Sequence, residues 1–525
     1  MANQIPILIR KELLAHLRTL RLVVALVFTV VLCLFTTIMG SLDYSLNMRA
    51  YEKAVDELHQ GMDEARVFEA LQPDMYVPPQ PVQILCRGIV QGAGQRFRLF
   101  LRDYFLGVDQ VGASSADDLM NTLVQVDFVS VVSLVLSFLA IALGFDAICG
   151  EREQGTLRLL LSHSVSRGQV VVAKLLGGVL SVWSPLAIAF VASLLVMQAN
   201  PDVHLTGDDW LRLFLLFLLT CLFLAEMFAL SVLVSVYTRH ASTSLIVCLF
   251  GWLILGSGYS SALPAVARHT LDWPPWQEFI EGRNAEWQHF YEAMDEWEEG
   301  HPPLTPAYYR GFRRDGILRY VHPQGYEWLD ARAAFEFDKM LEMADRVEKI
   351  RWQNQSPLAE QQFVVDEWSV LSPVTGYRVL GKWLARSTLE DRCQIARYGF
   401  RYRESYIDFL RARFAAEGWR RWYTDDPPDT TPMIEDPASV TPEMLAGDAP
   451  FLQERLAWAE DRWQDDRDDP RRRLDLTGLP EVGPGWQRTL PESLQRMMSG
   501  LTIMILTLGL AVLLTVRRFQ TYQLS

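Results

Sequence analysis

Six long apolar runs alternate with polar segments along this chain of 525 residues. A helix crosses the hydrocarbon core of a bilayer with roughly 17–25 predominantly apolar residues, and each run reaches that length. Helices are expected because they satisfy their own backbone hydrogen bonds where no water is present. The pattern therefore predicts an all-α integral membrane protein with six transmembrane helices, at 22–40, 123–148, 170–197, 211–236, 241–263 and 500–516.

Two large polar segments, 41–122 and 264–499, separate these helices. The second is too long for a plain loop, so we expect a large, mainly α-helical domain. It holds thirteen of the sixteen Trp residues. Such Trp residues are typical of cores and membrane interfaces, and an aromatic platform for a ligand is the alternative. The stretch 425–448 is rich in Pro and Asp and should be mobile. Helical patterns are predicted at 276–297, 326–352, 377–414 and 451–463.

The N-terminal segment 1–21 has apolar residues at helical spacing with basic residues between them. This pattern predicts an amphipathic helix on the inner membrane surface. The alternative is that it simply forms the cytosolic start of the first transmembrane helix. The following apolar run is too long for a signal peptide, so we expect an uncleaved first membrane helix.

The charge distribution predicts the orientation, because basic residues accumulate on the cytosolic side of membrane helices. The segments placed on one side by six alternating helices (1–21, 146–174, Arg239 and 517–525) carry a net charge of +7, which leaves −21 for the rest of a chain whose total is −14. Both termini are therefore expected in the cytosol of a bacterial cell, and both polar segments outside its inner membrane. The acidic exterior argues against nucleic-acid binding. It favours solubility, or attraction of a basic partner.

The sequence offers little chemistry of its own. It contains no phosphate-binding Gly-x-x-x-x-Gly-Lys-Ser/Thr loop, no zinc-type Cys/His spacing and no hydrolase motif, so we expect no ATPase site, cofactor or metal in this chain. Of the six cysteines, Cys86 and Cys393 lie in the outer segments and could pair in an oxidising compartment. Their spacing alone does not decide this.

The most specific segment is the short charged loop 149–169 between the second and third predicted helices. It resembles the cytoplasmic loop of ABC export permeases of the second type, although Ser164 stands where that family usually has Pro. Ile9–Leu13 and Leu371–Pro373 are also similar to segments of this family, whose last outer loop can be enlarged. The matching loop residues are Glu151, Glu153, Gly155, Thr156, Leu157, Leu160, Leu161, Ser162, Val165, Ser166, Arg167 and Lys174.

The resemblance implies a mechanical role for this loop. Residues 156–162 would form a coupling helix in a groove of a separate ABC ATPase, with Gly155 allowing a tight entry. Leu157, Leu160 and Leu161 would make buried contacts, and Glu151, Glu153 and Arg167 would make contacts at the rim. The alternative is an amphipathic connector that touches only lipid headgroups.

The family resemblance also implies partners. It implies two ATPase chains that bind ATP and Mg, a second permease chain (the same or homologous) and surrounding membrane lipid. The outer domain would cap the transport path, receive cargo or dock an extracytoplasmic partner. The alternative functions are a non-transporting membrane scaffold or receptor with a ligand-binding outer domain, and a membrane enzyme. The sequence does not identify a substrate.

One carboxylate, Glu226, falls inside the fourth apolar run. A charge at this depth is costly, so it should face a partner helix or an aqueous path. A role in substrate passage and a role in helix packing both remain open. Pro185 in the third run predicts a kink.

Overall fold

The computed structural model describes residues 5–17, 20–65, 74–88, 96–99, 106–109, 126–157, 166–270, 276–302, 311–314, 317–320, 323–417, 439–461 and 474–521. Within them the chain is almost entirely helical. Six helices are long and apolar enough to cross a membrane, which confirms the predicted all-α fold. These first to sixth spans are Leu22–Glu64, Phe128–Glu153, Arg167–Ala199, Gly207–Tyr237, Ala241–Ala267 and Leu490–Gln520.

The helices are numbered in chain order. They are α1 (Ile5–Leu17), α2 (Leu20–Glu64), α3 (Phe128–Val131), α4 (Ser137–Gly144), α5 (Cys149–Glu153), α6 (Arg167–Ala199), α7 (Gly207–Tyr237), α8 (Ala241–Leu253), α9 (Tyr259–Thr270), α10 (Trp276–Gly300), α11 (Pro323–Ser369), α12 (Pro373–Leu384), α13 (Leu389–Glu417), α14 (Pro450–Asp461) and α15 (Leu490–Gln520). Two π-helical stretches, Val132–Leu136 and Ile254–Gly258, interrupt the second and fifth spans.

Short elements complete the fold. Three 3₁₀ turns are Pro81–Ile84, Pro442–Leu445 and Pro484–Trp486. The strands β1 (Met75–Tyr76), β2 (Arg96–Leu99) and β3 (Leu106–Asp109) form an antiparallel sheet in chain order, and β4 (Gly311–Arg314) pairs with β5 (Ile317–Tyr320).

The first span does not end where its apolar run ends. Helix α2 continues without a break through Glu64, over 45 residues. At 1.5 Å per residue it is about 68 Å long, more than twice the roughly 30 Å of bilayer hydrocarbon. A change from apolar to polar side chains moves a helix into water but does not unwind it. The second half of α2 therefore projects beyond the membrane.

The fourth span forms the centre of the bundle. The most apolar windows of the second and fourth spans are each 67% buried, whereas that of the fifth span is 11% buried. Glycines allow close packing at the centre, as in other membrane bundles. A Cβ at Gly178 would lie 1.9 Å from Cζ of Phe228, and one at Gly144 would lie 1.9 Å from Oγ of Ser231. Larger residues at these two glycines would separate the spans.

Residues from both polar segments, 41–122 and 264–499, pack together into one part of the fold, which we call the outer part. Met75 of β1 and the adjacent Val77 share a hydrophobic cluster with Trp486 and α13. Ala65, at the end of α2, shares another with Tyr406 and Leu410 of α13. Helices α10 and α11 pack against each other through a separate core, made of Phe290, Met294, Met340, Met343, Ala344 and Val347. The segment 264–499 thus packs on residues from the first outer segment as well.

The prediction of one helix over 377–414 is wrong, because the chain forms α12 and α13 with a break between them. Arg386 has a φ of +53°, in the left-handed region, which ends α12. Thr388 then begins α13, since its backbone N–H and hydroxyl both donate to Oδ2 of Asp391, at 2.9 and 2.6 Å. Apolar spacing continues through this break, which explains why the pattern did not reveal it.

Two other expectations concern the outer part. Of the stretch predicted to be mobile, residues 425–438 lie outside the described residues, and 439–448 contain the 3₁₀ turn Pro442–Leu445. Cys86 and Cys393 are both free thiols, so they form no disulfide. Cys86 is fully buried, with its Sγ 3.3 Å from where a Cβ on Gly381 would lie.

Candidate functional site

The loop between the second and third spans begins with a turn at Gly155. Its φ of +70° lies in the left-handed region, where a residue with a side chain is strained. The hydroxyl of Thr156 donates to the carbonyl of Glu151 at 3.3 Å across this turn. The backbone at the loop entry therefore has a conformation that favours glycine, as predicted.

The predicted contact residues of the loop fall into three groups. Leu160 and Leu161 lie outside the described residues. Leu157 is only 2% exposed and belongs to the chain's own hydrophobic core, so it anchors the loop instead of reaching a partner. Glu153 and Thr156 are exposed and are available for contacts at a rim. Those contacts remain a prediction.

A buried lysine fixes the start of the loop. Nζ of Lys174, in the third span, lies 2.8 Å from Oε1 of Glu151 and 3.3 Å from Oε1 of Glu12 in α1. The lysine side chain is 4% exposed. One cation thus joins the loop, the third span and helix α1. His16 of α1 is close to this group, and burial lowers its pKa despite the opposing charge of Glu12.

The turn between the fourth and fifth spans provides a second support. Nδ1 of His240 lies 2.9 Å from Oε1 of Glu153. A guanidinium N–H of Arg152 donates to the carbonyl of Thr238 at 3.0 Å. The backbone N–H groups of Ile148 and Cys149 both donate to the hydroxyl of Ser235, each at 3.1 Å. The loop entry is therefore bound to the C-terminal end of the fourth span.

The loop exit is bound to the sixth span. Ser166 begins the third span with a reciprocal capping box involving Gln169. The next residue, Arg167, donates to the carbonyl of Gln520 at 2.9 Å, at the end of the sixth span. Arg518 lies over the ring of Tyr237, 5.3 Å from its centroid, and so links the ends of the sixth and fourth spans. Both ends of the loop are thus fixed to several helices.

This arrangement can transmit a displacement but shows no chemistry. A force on the loop reaches α1 through Glu151, the fourth span through Arg152 and the sixth span through Arg167. Sequence reasoning placed those residues on the loop but missed the partners Glu12, His240 and Gln520. In the sequence, these three partners share only a position near a helix end on the predicted cytosolic side. Such a position does not show which residues pair.

The buried carboxylate Glu226 faces a neighbouring helix. It is 1% exposed, and the hydroxyl of Thr507 in the sixth span donates to its Oε1. Its Oε2 accepts no hydrogen bond from the residues that the structure describes. The contact with Thr507 agrees with the expectation of a partner helix. Whether the carboxylate serves packing or passage remains a prediction.

The short helix α12 lies at the opposite end of the bundle and touches both π-helical stretches. The hydroxyl of Ser372 donates to the carbonyl of Leu255 at 2.6 Å, and Nε of Arg378 donates to the hydroxyl of Ser133 at 2.8 Å. The ring of Tyr377 stacks on Phe223 with centroids 4.4 Å apart. π-Helical turns often mark functional positions because they free a carbonyl for another partner. In the fifth span, the carbonyl of Leu255 lies in the π-helical stretch and accepts the hydrogen bond from Ser372.

Below α12, a buried arginine connects the fourth span to the outer part. Arg212 is 0% exposed. Its guanidinium donates to Oδ2 of Asp208 at 2.7 Å, to the carbonyl of Leu384 at 3.0 Å, to the hydroxyl of Ser493 at 3.1 Å and to the carbonyl of Arg488 at 3.0 Å. Three chain segments therefore meet at one side chain: α7, the end of α12 and the residues 488–493 at the start of α15. We call this set the Arg212 junction.

Comparison with known proteins places this architecture in a family. A family model described as "ABC-2 family transporter protein" matches residues 7–388, from α1 through α12. The chain is also similar to the probable ABC transporter permease protein NosY of Pseudomonas aeruginosa, with 35% identity over 133 residues, or 24% of this chain and 48% of that protein. NosY of Stutzerimonas stutzeri is 36% identical over 75 residues, or 14% of this chain and 27% of that protein.

The chain spans about half the length, or less, of these curated relatives. The family match covers well over half of the present chain. The six candidate membrane spans agree with a multi-pass membrane protein of this family. This chain belongs to the ABC-2 family of transporter proteins and is a permease component of an ABC transporter.

Proposed function

We propose that this chain is the membrane-spanning subunit of an ATP-driven exporter in a bacterial inner membrane. ATP and Mg bind to separate ATPase chains, two per complex. The observation that supports this proposal most directly is the attachment of the loop 149–169 at both of its ends. A loop fixed to α1 and to the third, fourth and sixth spans can pass a displacement to most of the bundle.

The proposed cycle begins when ATP closes the two ATPase chains on each other. The loop moves with the ATPase surface that holds it, and the attached spans rotate from an inward-open to an outward-open arrangement. The transport path lies between this permease and a second permease chain, the same or homologous. The low burial of the fifth span, 11% in its most apolar window, is compatible with cover by lipid or by that second chain.

The orientation rests on charge. The +7 balance near the helix ends on one side supports a cytosolic position for both termini and the loop, with the acidic outer part on the other side of the membrane. In this orientation the outer part covers the exit of the path, and α12 connects it to the second, fourth and fifth spans. It is available to receive cargo or an extracytoplasmic partner.

Association with the ATPase tests the proposal. Glu153→Arg puts a reversed charge on the exposed loop entry, and Leu160→Asp puts an unpaired charge at the predicted coupling contact. Both variants should reduce the amount of ATPase recovered with the purified permease and lower the ATPase activity of the assembled complex. Membrane insertion of the permease should remain normal. Glu57→Arg is the matched control, because Glu57 is equally a surface carboxylate, 65% exposed, but lies in the projecting half of α2.

Two results would contradict the proposal. If both loop variants retain full ATPase recovery and activity, the loop is not the interface. If the unaltered permease recovers no ATPase at all, the alternative of a non-transporting scaffold or receptor is favoured.

A further inference from the structure

The N-terminal helix α1 packs closely against the third span. A Cβ on Gly177 would lie 2.8 Å from Cβ of Glu12 and 3.5 Å from the carbonyl of Ile9. Real Cβ atoms essentially never approach a neighbouring carbon to 2.8 Å, so the absence of a side chain at Gly177 sets the distance between these helices. That distance brings the carboxylate of Glu12 to Nζ of Lys174.

Lys174 is shared between two elements that are far apart in the sequence. Its Nζ is closer to Glu151 of the loop, at 2.8 Å, than to Glu12 of α1, at 3.3 Å. The side chains of Glu12 and Glu151 are 13% and 23% exposed, against 4% for the lysine. Without the ammonium group, the two carboxylates would face each other in a partly dehydrated site and repel. The positive charge of Lys174 therefore holds α1 next to the loop.

We propose that Lys174 is a positioning residue that joins α1 to the loop 149–169, so that both move as one body when the partner ATPase binds ATP. The inference rests on the proposed function and adds an element to it. In this arrangement α1 moves together with the loop during the transport cycle, in addition to anchoring the chain at the membrane surface. The carboxylates paired with Lys174 are those of Glu12 and Glu151. The carboxylate of Asp146 interacts electrostatically with the neighbouring His16.

Hydrogen–deuterium exchange of the full permease–ATPase complex in lipid nanodiscs tests this inference. Exchange is compared without nucleotide and after trapping with ATP and vanadate. In the unaltered complex, amides of 5–17 and of 149–157 should both change their exchange on trapping. In Lys174→Met, the loop should keep its response, whereas α1 should exchange at least tenfold faster and lose its response. Lys174→Arg should restore it.

Two milder variants keep the test informative if Lys174→Met does not yield a folded complex. Glu12→Gln leaves the pair between Lys174 and Glu151 intact and should uncouple α1 alone. Gly177→Ala retains every charge but moves α1 away, and should have the same effect. The controls are Lys53→Met, which removes a lysine paired on the surface and 79% exposed, and Gly61→Ala, a helical glycine with open space around it.

The possible results separate the two proposals. A nucleotide response of α1 that is unchanged in Lys174→Met or in Glu12→Gln would overturn the role of Lys174. So would an unaltered complex in which the loop responds but α1 does not. Failure of the ATPase to associate with the unaltered permease would instead refute the proposed function, and is seen in the purification before any exchange is measured.

Discussion

Substitution of Arg212 by Met tests how strongly the Arg212 junction holds the outer part to the bundle. Met keeps much of the aliphatic volume but removes the charge and all donors. Asp208 retains Arg386 as a partner at 2.5 Å, and the carbonyl of Arg488 still accepts from Nε of Arg386 at 2.9 Å. The hydroxyl of Ser493 still donates to the carbonyl of Thr489 at 3.2 Å. The main unreplaced loss is the donor to the carbonyl of Leu384.

The magnitude follows from this count of surviving partners. Breaking a buried charge pair costs about 3–5 kcal/mol when a partner is left alone, and a buried carbonyl that loses its donor costs about 1–3 kcal/mol. Because Asp208 is not left alone, Arg212→Met should lower the free energy of unfolding by about 3 kcal/mol, the lower end of the first range. This corresponds to more than about a hundredfold in the unfolding constant.

Arg386→Met combined with Arg212→Met should cost more than the sum of the single changes, by about 1–2 kcal/mol, because Asp208 then loses both cations. The assay is equilibrium unfolding of the purified protein in mixed micelles with increasing sodium dodecyl sulfate, followed by Trp fluorescence. Arg49→Met is the control and should change stability by less than about 0.5 kcal/mol, because Arg49 is 69% exposed. A cost for Arg212→Met equal to that of Arg49→Met, or strict additivity of the pair, would refute the reasoning.

Three further predictions concern other parts of the bundle. Gly178→Ala should destabilise the protein by at least about 1–3 kcal/mol through overpacking against Phe228, whereas Gly61→Ala should be neutral or stabilise by up to about 1 kcal/mol in the same unfolding assay. Tyr377→Phe should cost about 1 kcal/mol, because it removes only the hydrogen bond to Thr220, and Tyr377→Ala about 3–5 kcal/mol; equal costs would contradict the role of the stacked ring. Burial lowers the pKa of His16 below 6.5, so the folded state disfavours its protonation. Docking of α1 should therefore be complete above pH 6.5 and weaken as the pH falls below it, measured as faster amide exchange in 5–17, and His16→Gln should remove this dependence.

The sequence predicted the membrane part well because length and apolarity decide whether a helix can cross a bilayer. Neither quantity marks where a helix ends once it has left the membrane. The predicted span 22–40 is therefore only the apolar part of α2, and the helical pattern predicted separately for 44–71 continues the same helix as far as Glu64. The break at Arg386 was missed for a related reason, because a left-handed arginine carries none of the signal that a glycine would give.

The candidate site was predicted only in part, because its supports depend on tertiary contacts. Motif resemblance identified Glu151 and Lys174 separately, but nothing in the sequence showed that they pair or that Glu12 joins them. The same holds for Arg212 and Arg488, which are 276 residues apart. Leu157 shows the opposite error, since an apolar residue on a loop was assigned to a partner although the chain's own core covers it.

The continuous helix α2 can carry a tilt from the membrane bundle to the outer part. A rod of 45 residues is about 68 Å long, so a tilt of about 5° about its N-terminal end displaces its far end by about 6 Å. That far end packs through Ala65 on Tyr406 of α13. A small tilt of this helix within the bundle would thus move the residues of the outer part that pack on Ala65 by several ångströms. Because α2 is unbroken over its 45 residues, such a tilt reaches the outer part without a hinge in this helix.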